Sequence, residues 1–209
     1  RAVELGFDSA RRLDQVVYPI SRFTDEERAR DESLLSATEW AQPAIGAASL
    51  SLLSLFQSLG IEADGVAGHS FGEVTALHAA GVLSEADFLA VARRRGELMA
   101  KVSDEPGTMS AVSASLDEVV QVLDSLWCDR VNVANHNAPE QVVISGTTEC
   151  VEAAEAALDA QGLRTRRLKV SRAFHSPLVA ESAEPFGELL ERIPFGEAIL
   201  PVWSGETAE

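Results

Sequence analysis

The chain has 209 residues, enough for one large domain or for a domain with a smaller one inserted, and its 46% hydrophobic residues supply a real core. With 33 acidic against 17 basic residues the net charge is −16, a balance that repels a phosphate backbone and argues against nucleic acid as a partner. Cys128 and Cys150 lie far apart in sequence without metal-ligand spacing; with no secretory leader in view they suggest a reducing, cytoplasmic setting and no metal site.

In chain order, Arg1 to Leu13 reads as helical sequence that begins without an initiating methionine or a leading strand, as expected of a piece of a longer chain. Asp14 to Glu32 is charged, contains Pro19 and reads as a surface connection. Ser36 to Pro43 then leads into an apolar helix over Ala44 to Leu59, with Pro43 in its first turn, where a missing donor costs nothing. Polar residues such as Gln42, Gln57 and several serines interrupt this stretch, so it reads as a buried helix and not a membrane span. Gln42 itself is either an exposed amide at a helix start or a polar group aimed at a site.

The organising stretch is Gly68-His69-Ser70-Phe71-Gly72, a G-x-S-x-G pattern after the short apolar run Val66-Ala67 and before a helix that Gly81 stops. Strand, sharp turn and helix are the context a nucleophile elbow requires. A serine at such a tip is held in a strained backbone state, with Gly68 and Gly72 expected to be bare so that neighbouring backbone can pass. The helix start aims the Phe71 amide at the same spot, where it can hold an oxyanion. The competing reading is a tight turn with a helix-capping serine.

Ser84-Glu85-Ala86-Asp87 opens the next helix through a capping pair, and Arg93, Arg94 and Arg95 sit in its middle. Two of the three are expected to pair with carboxylates at the surface, while Arg95, four residues before Met99 and on the side of Val91 and Ala92, turns toward the buried face.

After the turn-rich link Ser103 to Gly107 the rhythm changes. Thr108–Ser115 reads as strand, Leu116–Leu126 as helix, Val131–Asn135 and Gln141–Ser145 as strands, Thr148–Gln161 as helix and Leu163–Val170 as strand. That order is the split β-α-β layout of a small ferredoxin-like domain. Asn135 to Glu140 would be its hairpin connection, facing either water or a cleft. The expected organisation is a large subdomain over 1–103, the small one over 104–170, and a return to the large one over 171–209.

Four histidines compete for the role of base. His69 adjoins Ser70 and should point away from it, His78 lies about two turns down the helix, and His136 is in the hairpin. His175 follows a strand and precedes Pro177, which stops an immediate helix, so it is best placed on a short rigid loop; a satisfied loop histidine is the alternative. Glu181–Glu191 reads as helix and Ile199–Trp203 as strand, with Pro201 to Gly205 able to pass near His175. Serine, histidine and oxyanion donor together mean acyl transfer through an ester, and an inward arginine would select an acyl group with a free acid.

The chain resembles the malonyl-CoA:acyl carrier protein transacylase family, and within it the acyltransferase domains of polyketide synthases, including iterative enediyne or polyunsaturated fatty acid types. Gly68-His69-Ser70-Phe71-Gly72-Glu73 matches its G-H-S-x-G-E; Gln42-Pro43, Arg95-Gly96 with Met99, Asn135 to Gly146, and Ala173-Phe174-His175-Ser176 match four further motifs. The resemblance implies an α/β-hydrolase-like large subdomain with a parallel sheet, interrupted by a ferredoxin-like one. It implies Ser70 as acylated nucleophile, His175 as base and Arg95 as the contact to the malonyl carboxylate, supported by Gln42, Phe71, His69 and Asn137. Phe174 before the histidine goes with malonyl selection in the family, since a bulky ring leaves little room for an extra methyl.

What it implies for function is movement of malonyl from malonyl-CoA, a substrate and not a bound cofactor, to the phosphopantetheine thiol of an acyl carrier protein. The wider partners would be other domains of a multidomain synthase, with no nucleic acid and no membrane. A hydrolase or thioesterase of the same fold and a non-catalytic docking domain are the alternatives. Three departures stand out: the family's opening strand and glycine-glutamine-glycine loop, which gives a second oxyanion donor, precede the point where this chain starts; Gly205 stands for a usual asparagine; and Arg172 stands where many relatives have histidine.

Overall fold

The computed structural model describes residues 11–101, 105–170 and 172–207. The expectations for residues 1–10 and for Ser103 and Asp104 of the link fall outside them. The chain divides into two compact units, Arg1–Lys101 with Glu184–Glu209, and Val102–Ala183.

The first unit begins with α1 (Leu13–Val17) and α2 (Asp25–Ser36), where a plain surface connection was expected. No apolar periodicity announces α2, and none of its residues is buried. Its start is fixed by a reciprocal capping box between Thr24 and Glu27 and by three acids in the first turn that suit the positive end of the helix, and near its other end Leu34 and Leu35, partly buried, pack against Leu13, Val16 and Trp40. Arg22 adds a two-pronged ion pair to Asp31.

The long helix α3 (Thr38–Ser58) starts six residues earlier than its apolar pattern predicts, so Pro43 lies inside it and not in its first turn. Burial explains the extension. Thr38, Trp40, Gln42, Pro43 and Gly46 are the buried positions of α3, and the packing of this front half outweighs the hydrogen bond lost at the proline. A Cβ at Gly96 would lie 2.6 Å from the Thr38 carbonyl oxygen, so the absence of a side chain there sets how closely α3 approaches α5 (Glu85–Lys101). Between them in sequence come β1 (Val66–Ala67) and α4 (Phe71–Ala79). β1 pairs in parallel with the last strand, β6 (Val202–Trp203), and Phe71, Leu83, Phe88, Leu89 and Ala92 form the core between α4 and α5.

The second unit contains β2 (Gly107–Ser113), α6 (Leu116–Asp124), β3 (Val131–Ala138), β4 (Gln141–Thr147), α7 (Thr148–Ala160) and β5 (Arg164–Arg167). Its sheet order is β3-β4-β2-β5 with every pair antiparallel, the ferredoxin-like arrangement the sequence pattern predicts. Alternation does the work: Val112, Val142 and Ile144 point to one face, where Val119, Val122, Val151, Ala154 and Leu158 of the two helices cover them. β3 runs through Asn135, His136 and Asn137, which were expected in the hairpin; two register shifts against β4 absorb the polar residues, and the turn is confined to Pro139 and Glu140.

A 3-10 helix (Pro177–Ser182) and α8 (Ala183–Leu190) follow, so Pro177 starts a turn of helix where a stop was expected. Residues 171–183 cluster with the second unit, which moves the return to the first unit from 171 to Glu184. The cause is local: a Cβ on Gly107 would touch Ala173 and Leu178, so this segment packs on the start of β2. Cys128 and Cys150 also meet, as a disulfide with Cα atoms 5.7 Å apart that ties the segment after α6 to the first turn of α7. The cysteines therefore carry no argument for a reducing compartment. The fold is mixed α/β, a parallel pair with flanking helices in one unit and an antiparallel α+β layer in the other.

Candidate active site

β1 delivers the chain to the elbow, anchored by the Val66 amide donating to the Pro201 carbonyl at 2.9 Å. Ser70 then takes φ 54° and ψ −114°, a left-handed region that costs a residue with a Cβ on the order of 1–3 kcal/mol. Its side chain makes no capping hydrogen bond to α4, which removes the helix-capping alternative. A Cβ on Gly68 would come within 2.0 Å of the Gly72 backbone, so glycine is obligatory there; one on Gly72 would meet nothing within 4 Å, contrary to the expectation that both must be bare. Phe71 opens α4 with its ring buried, and its amide belongs to the helix's first, unsatisfied donors. The Gly205 amide donates to Glu73 Oε1 at 2.8 Å, which pins the end of the chain beside the elbow.

On α5 the three arginines divide as their positions predict. Arg93 pairs with Glu97 at 2.7 Å and Arg94 with the same carboxylate at 3.6 Å. Arg95 is partly buried and donates from Nη1 to Gln42 Oε1 at 2.8 Å, while Gln42 Nε2 donates to Thr38 Oγ1 at 2.7 Å and approaches Met99 Sδ at 3.5 Å. Gln42 is thus a buried linker in the body of α3 and not an exposed amide at a helix start. Burial pushes the Arg95 guanidinium below the usual arginine range, with the charge of Glu73 pulling the other way. Among the described residues no carboxylate forms an ion pair with it.

In the second unit His175 also has a left-handed backbone, φ 56°. Two side chains hold that turn. Ser176 Oγ donates to the Ala173 carbonyl at 2.7 Å and accepts from the Leu178 amide at 3.2 Å, and Asn132 Nδ2 donates to the His175 carbonyl at 3.0 Å. Phe174 is half-buried beside it, and Asn137 lies exposed at the second register shift of β3. Asn132 is the residue the sequence reading missed; its one signal is a polar side chain between Val131 and Val133 on a strand otherwise read as apolar. Ser70, His69, Phe71, Gln42 and Arg95 thus belong to the first unit, and Phe174, His175 and Asn137 to the second.

Among the described residues no group of histidine, cysteine, aspartate and glutamate could hold a metal ion, and no helix is long and apolar enough to cross a membrane. Residues 7–208 match the model of the acyl transferase domain family. The chain belongs to that family. It is 42% identical over 174 residues to the polyketide synthase GfsA of Streptomyces halstedii, covering 83% of this chain and 2% of that protein. It is 41% identical over 175 residues to the malonyl CoA-acyl carrier protein transacylase of Synechocystis sp., covering 83% of this chain and 58% of that one. A malonyl-transacylase solved in complex with a type II polyketide synthase acyl carrier protein superposes with a TM-score of 0.81 at 33% identity, over 85% of this chain and 59% of that one. The chain therefore spans at most about three-fifths of the length of these relatives. Within an acyl transferase domain, a strained serine and a partly buried arginine that pairs with no carboxylate among the described residues take on chemical meaning.

Proposed function

We propose that this chain moves a malonyl group from malonyl-CoA, through an ester on Ser70, to the phosphopantetheine thiol of an acyl carrier protein, as extender-unit loading within a multidomain synthase. The observation that carries the reading is Arg95. A partly buried guanidinium held by a neutral amide, with no carboxylate ion pair among the described residues, keeps a full charge to offer an incoming anion, and its planar fork matches a carboxylate in two prongs. A hydrolase for neutral acyl chains would gain nothing from such a cation.

The steps balance as a ping-pong exchange. His175 takes the Ser70 proton as the hydroxyl oxygen attacks the thioester carbonyl; the oxyanion is held by the Phe71 amide; the C–S bond breaks and CoA leaves with the proton as a free thiol. The carrier thiol then attacks the ester and the same groups act in reverse. Arg95 and Gln42 keep the malonate oriented throughout, with His69 and Asn137 at the margins. Phe174 disfavours a branched α-carbon by an amount on the order of 1–3 kcal/mol, a preference and not an exclusion.

Intact-mass spectrometry after brief exposure to malonyl-CoA, methylmalonyl-CoA and acetyl-CoA tests this, with Ser70→Ala as control. A malonyl adduct that disappears in the control supports nucleophile and acyl choice together. Equal labelling by acetyl-CoA would remove the role given to Arg95, and an adduct that persists in the control would remove Ser70.

A further inference from the structure

Asn132 is fixed in one orientation by what it touches. Its Nδ2 donates to the carbonyls of Val133 and His175, which uses both amide hydrogens, and the reversed amide would set Oδ1 against two acceptors. Oδ1 is left on the other side, buried, and accepts no hydrogen bond among the described residues. A second buried oxygen lies directly across the strands. Ser145 of β4 is the register partner of Asn132 and is 0% exposed, and its Oγ likewise has no hydrogen bond among the described residues. The two share a face: Val131, Val133 and Ile144 alternate with them and pack on the helices, so Asn132 and Ser145 stand on the opposite side, where Asn132 meets the His175 carbonyl.

Residues directly opposite in an antiparallel pair hold their Cβ atoms about 4.5–5.5 Å apart, a gap that a serine hydroxyl and an asparagine carbonyl can span with one hydrogen bond. A turn of the Ser145 side chain about χ1 is enough to close it. The chemistry matches as well, since Oδ1 can only accept and a hydroxyl supplies one donor. On its other side Ser145 faces Met109, whose thioether has no hydrogen to give and accepts weakly. Ser176, next in sequence to His175, already gives its hydroxyl hydrogen to the Ala173 carbonyl. One bond between Ser145 and Asn132 thus satisfies two oxygens that are each costly to bury alone. A serine kept only as a small strand residue has no reason to stand opposite an amide whose oxygen lacks a donor.

We propose that Ser145 is a positioning residue whose hydroxyl donates to Asn132 Oδ1 and so locks the amide that holds the His175 turn. This rests on His175 acting as the base, as argued above, and extends its support by one residue. Ser145→Ala removes one oxygen and adds no bulk. In steady-state acylation by malonyl-CoA it is expected to lower kcat about three- to tenfold, the scale of one neutral hydrogen bond, with KM within twofold of wild type. The double variant N132A/S145A should be no slower than N132A, since a lock has no effect once its amide is gone. A kcat unchanged in S145A, or losses that multiply in the double variant, overturns the proposal. Should Ser70 not acylate at all, the proposed function fails independently, and urea unfolding of wild type, both single variants and the double variant decides the bond. A double variant that loses less stability than the two single losses together supports it; losses that simply add overturn it.

Discussion

Asn132 Nδ2 donates to the backbone carbonyl of His175 at 3.0 Å and to that of Val133 at 2.9 Å, so a strand residue clasps the one histidine whose backbone is left-handed. Both bonds lie inside the second unit. They oppose relaxation of a turn whose φ of 56° is unfavourable for a side chain of this size. Removing the clasp should let the ring wander without touching the acyl pocket. Asn132→Ala is expected to lower kcat for acylation by malonyl-CoA roughly tenfold, about the worth of one hydrogen bond, with KM within twofold of wild type. Asn132→Asp should be worse, because it sets an acceptor against two carbonyls. Steady-state kinetics with the two variants checks this, and an Asp variant as active as wild type would remove the positioning role.

The elbow makes a sharper prediction about two glycines that look equivalent in sequence. Gly68→Ala forces a Cβ to within 2.0 Å of the Gly72 backbone, and since backbone cannot yield as a side-chain tip can, the loss should reach about 3 kcal/mol or more. Gly72→Ala meets nothing within 4 Å and sits in the first turns of α4, where alanine is the better helix former, so stability should be unchanged or slightly raised. Urea unfolding of the two variants separates them; equal losses would mean the elbow is packed differently.

The contrast between those glycines marks what the sequence could and could not disclose. The elbow, the inward turn of Arg95 and the ferredoxin-like sheet were legible because each follows from local spacing: a motif between strand and helix, a four-residue offset, alternation of period two. Pro43 misled because proline speaks for a helix start only when nothing else is buried ahead of it, and here Thr38 and Trp40 are. The helix α2 has no periodic apolar face to read; a capping box at its start and the packing of Leu34 and Leu35 near its end hold it. The meeting of Cys128 with Cys150, the clasp from Asn132 and the change of unit at Glu184 instead of 171 depend on contacts between distant segments, for which a single sequence carries no periodic signal.

Arg95 and Gln42 should behave as a unit in acyl selection. Arg95→Ala removes the charge offered to a malonyl carboxylate and should slow Ser70 acylation by malonyl-CoA roughly 10- to 100-fold, the scale of a hydrogen bond to a charged group, while acetyl-CoA loses little or gains. Gln42→Ala leaves the cation in place and takes away its 2.8 Å anchor, so the same selectivity should fall by a smaller factor. The double variant should be no worse than Arg95→Ala alone, because an anchor has no effect once its partner is gone. Initial acylation rates with both donors test this; additive losses in the double variant would show that Gln42 acts on the substrate independently.

The Glu155 and Arg167 pair gives the second unit a defined response to acid. Arg167 donates from Nε to Glu155 Oε1 at 2.8 Å and holds the carboxylate below the usual glutamate range, against a smaller opposing effect of burial. A carboxylate whose folded pKa is depressed stabilises the fold above its unfolded value of about 4.3, and that contribution is lost as pH falls through the lower folded value. In this window the unfolded chain binds the proton first, so stability must decline with falling pH. Glu155→Gln cannot titrate, and its stability should fall less steeply between about pH 5 and pH 3 than that of wild type, while being lower at pH 7 where the ion pair is missing. Thermal unfolding across that range, followed by circular dichroism, reads both differences. Parallel curves for the two proteins would mean that the pair contributes nothing, as many exposed ion pairs do. Arg164 and Arg166 stand on the other face of the sheet, so replacing them with glutamine should leave the acid slope untouched.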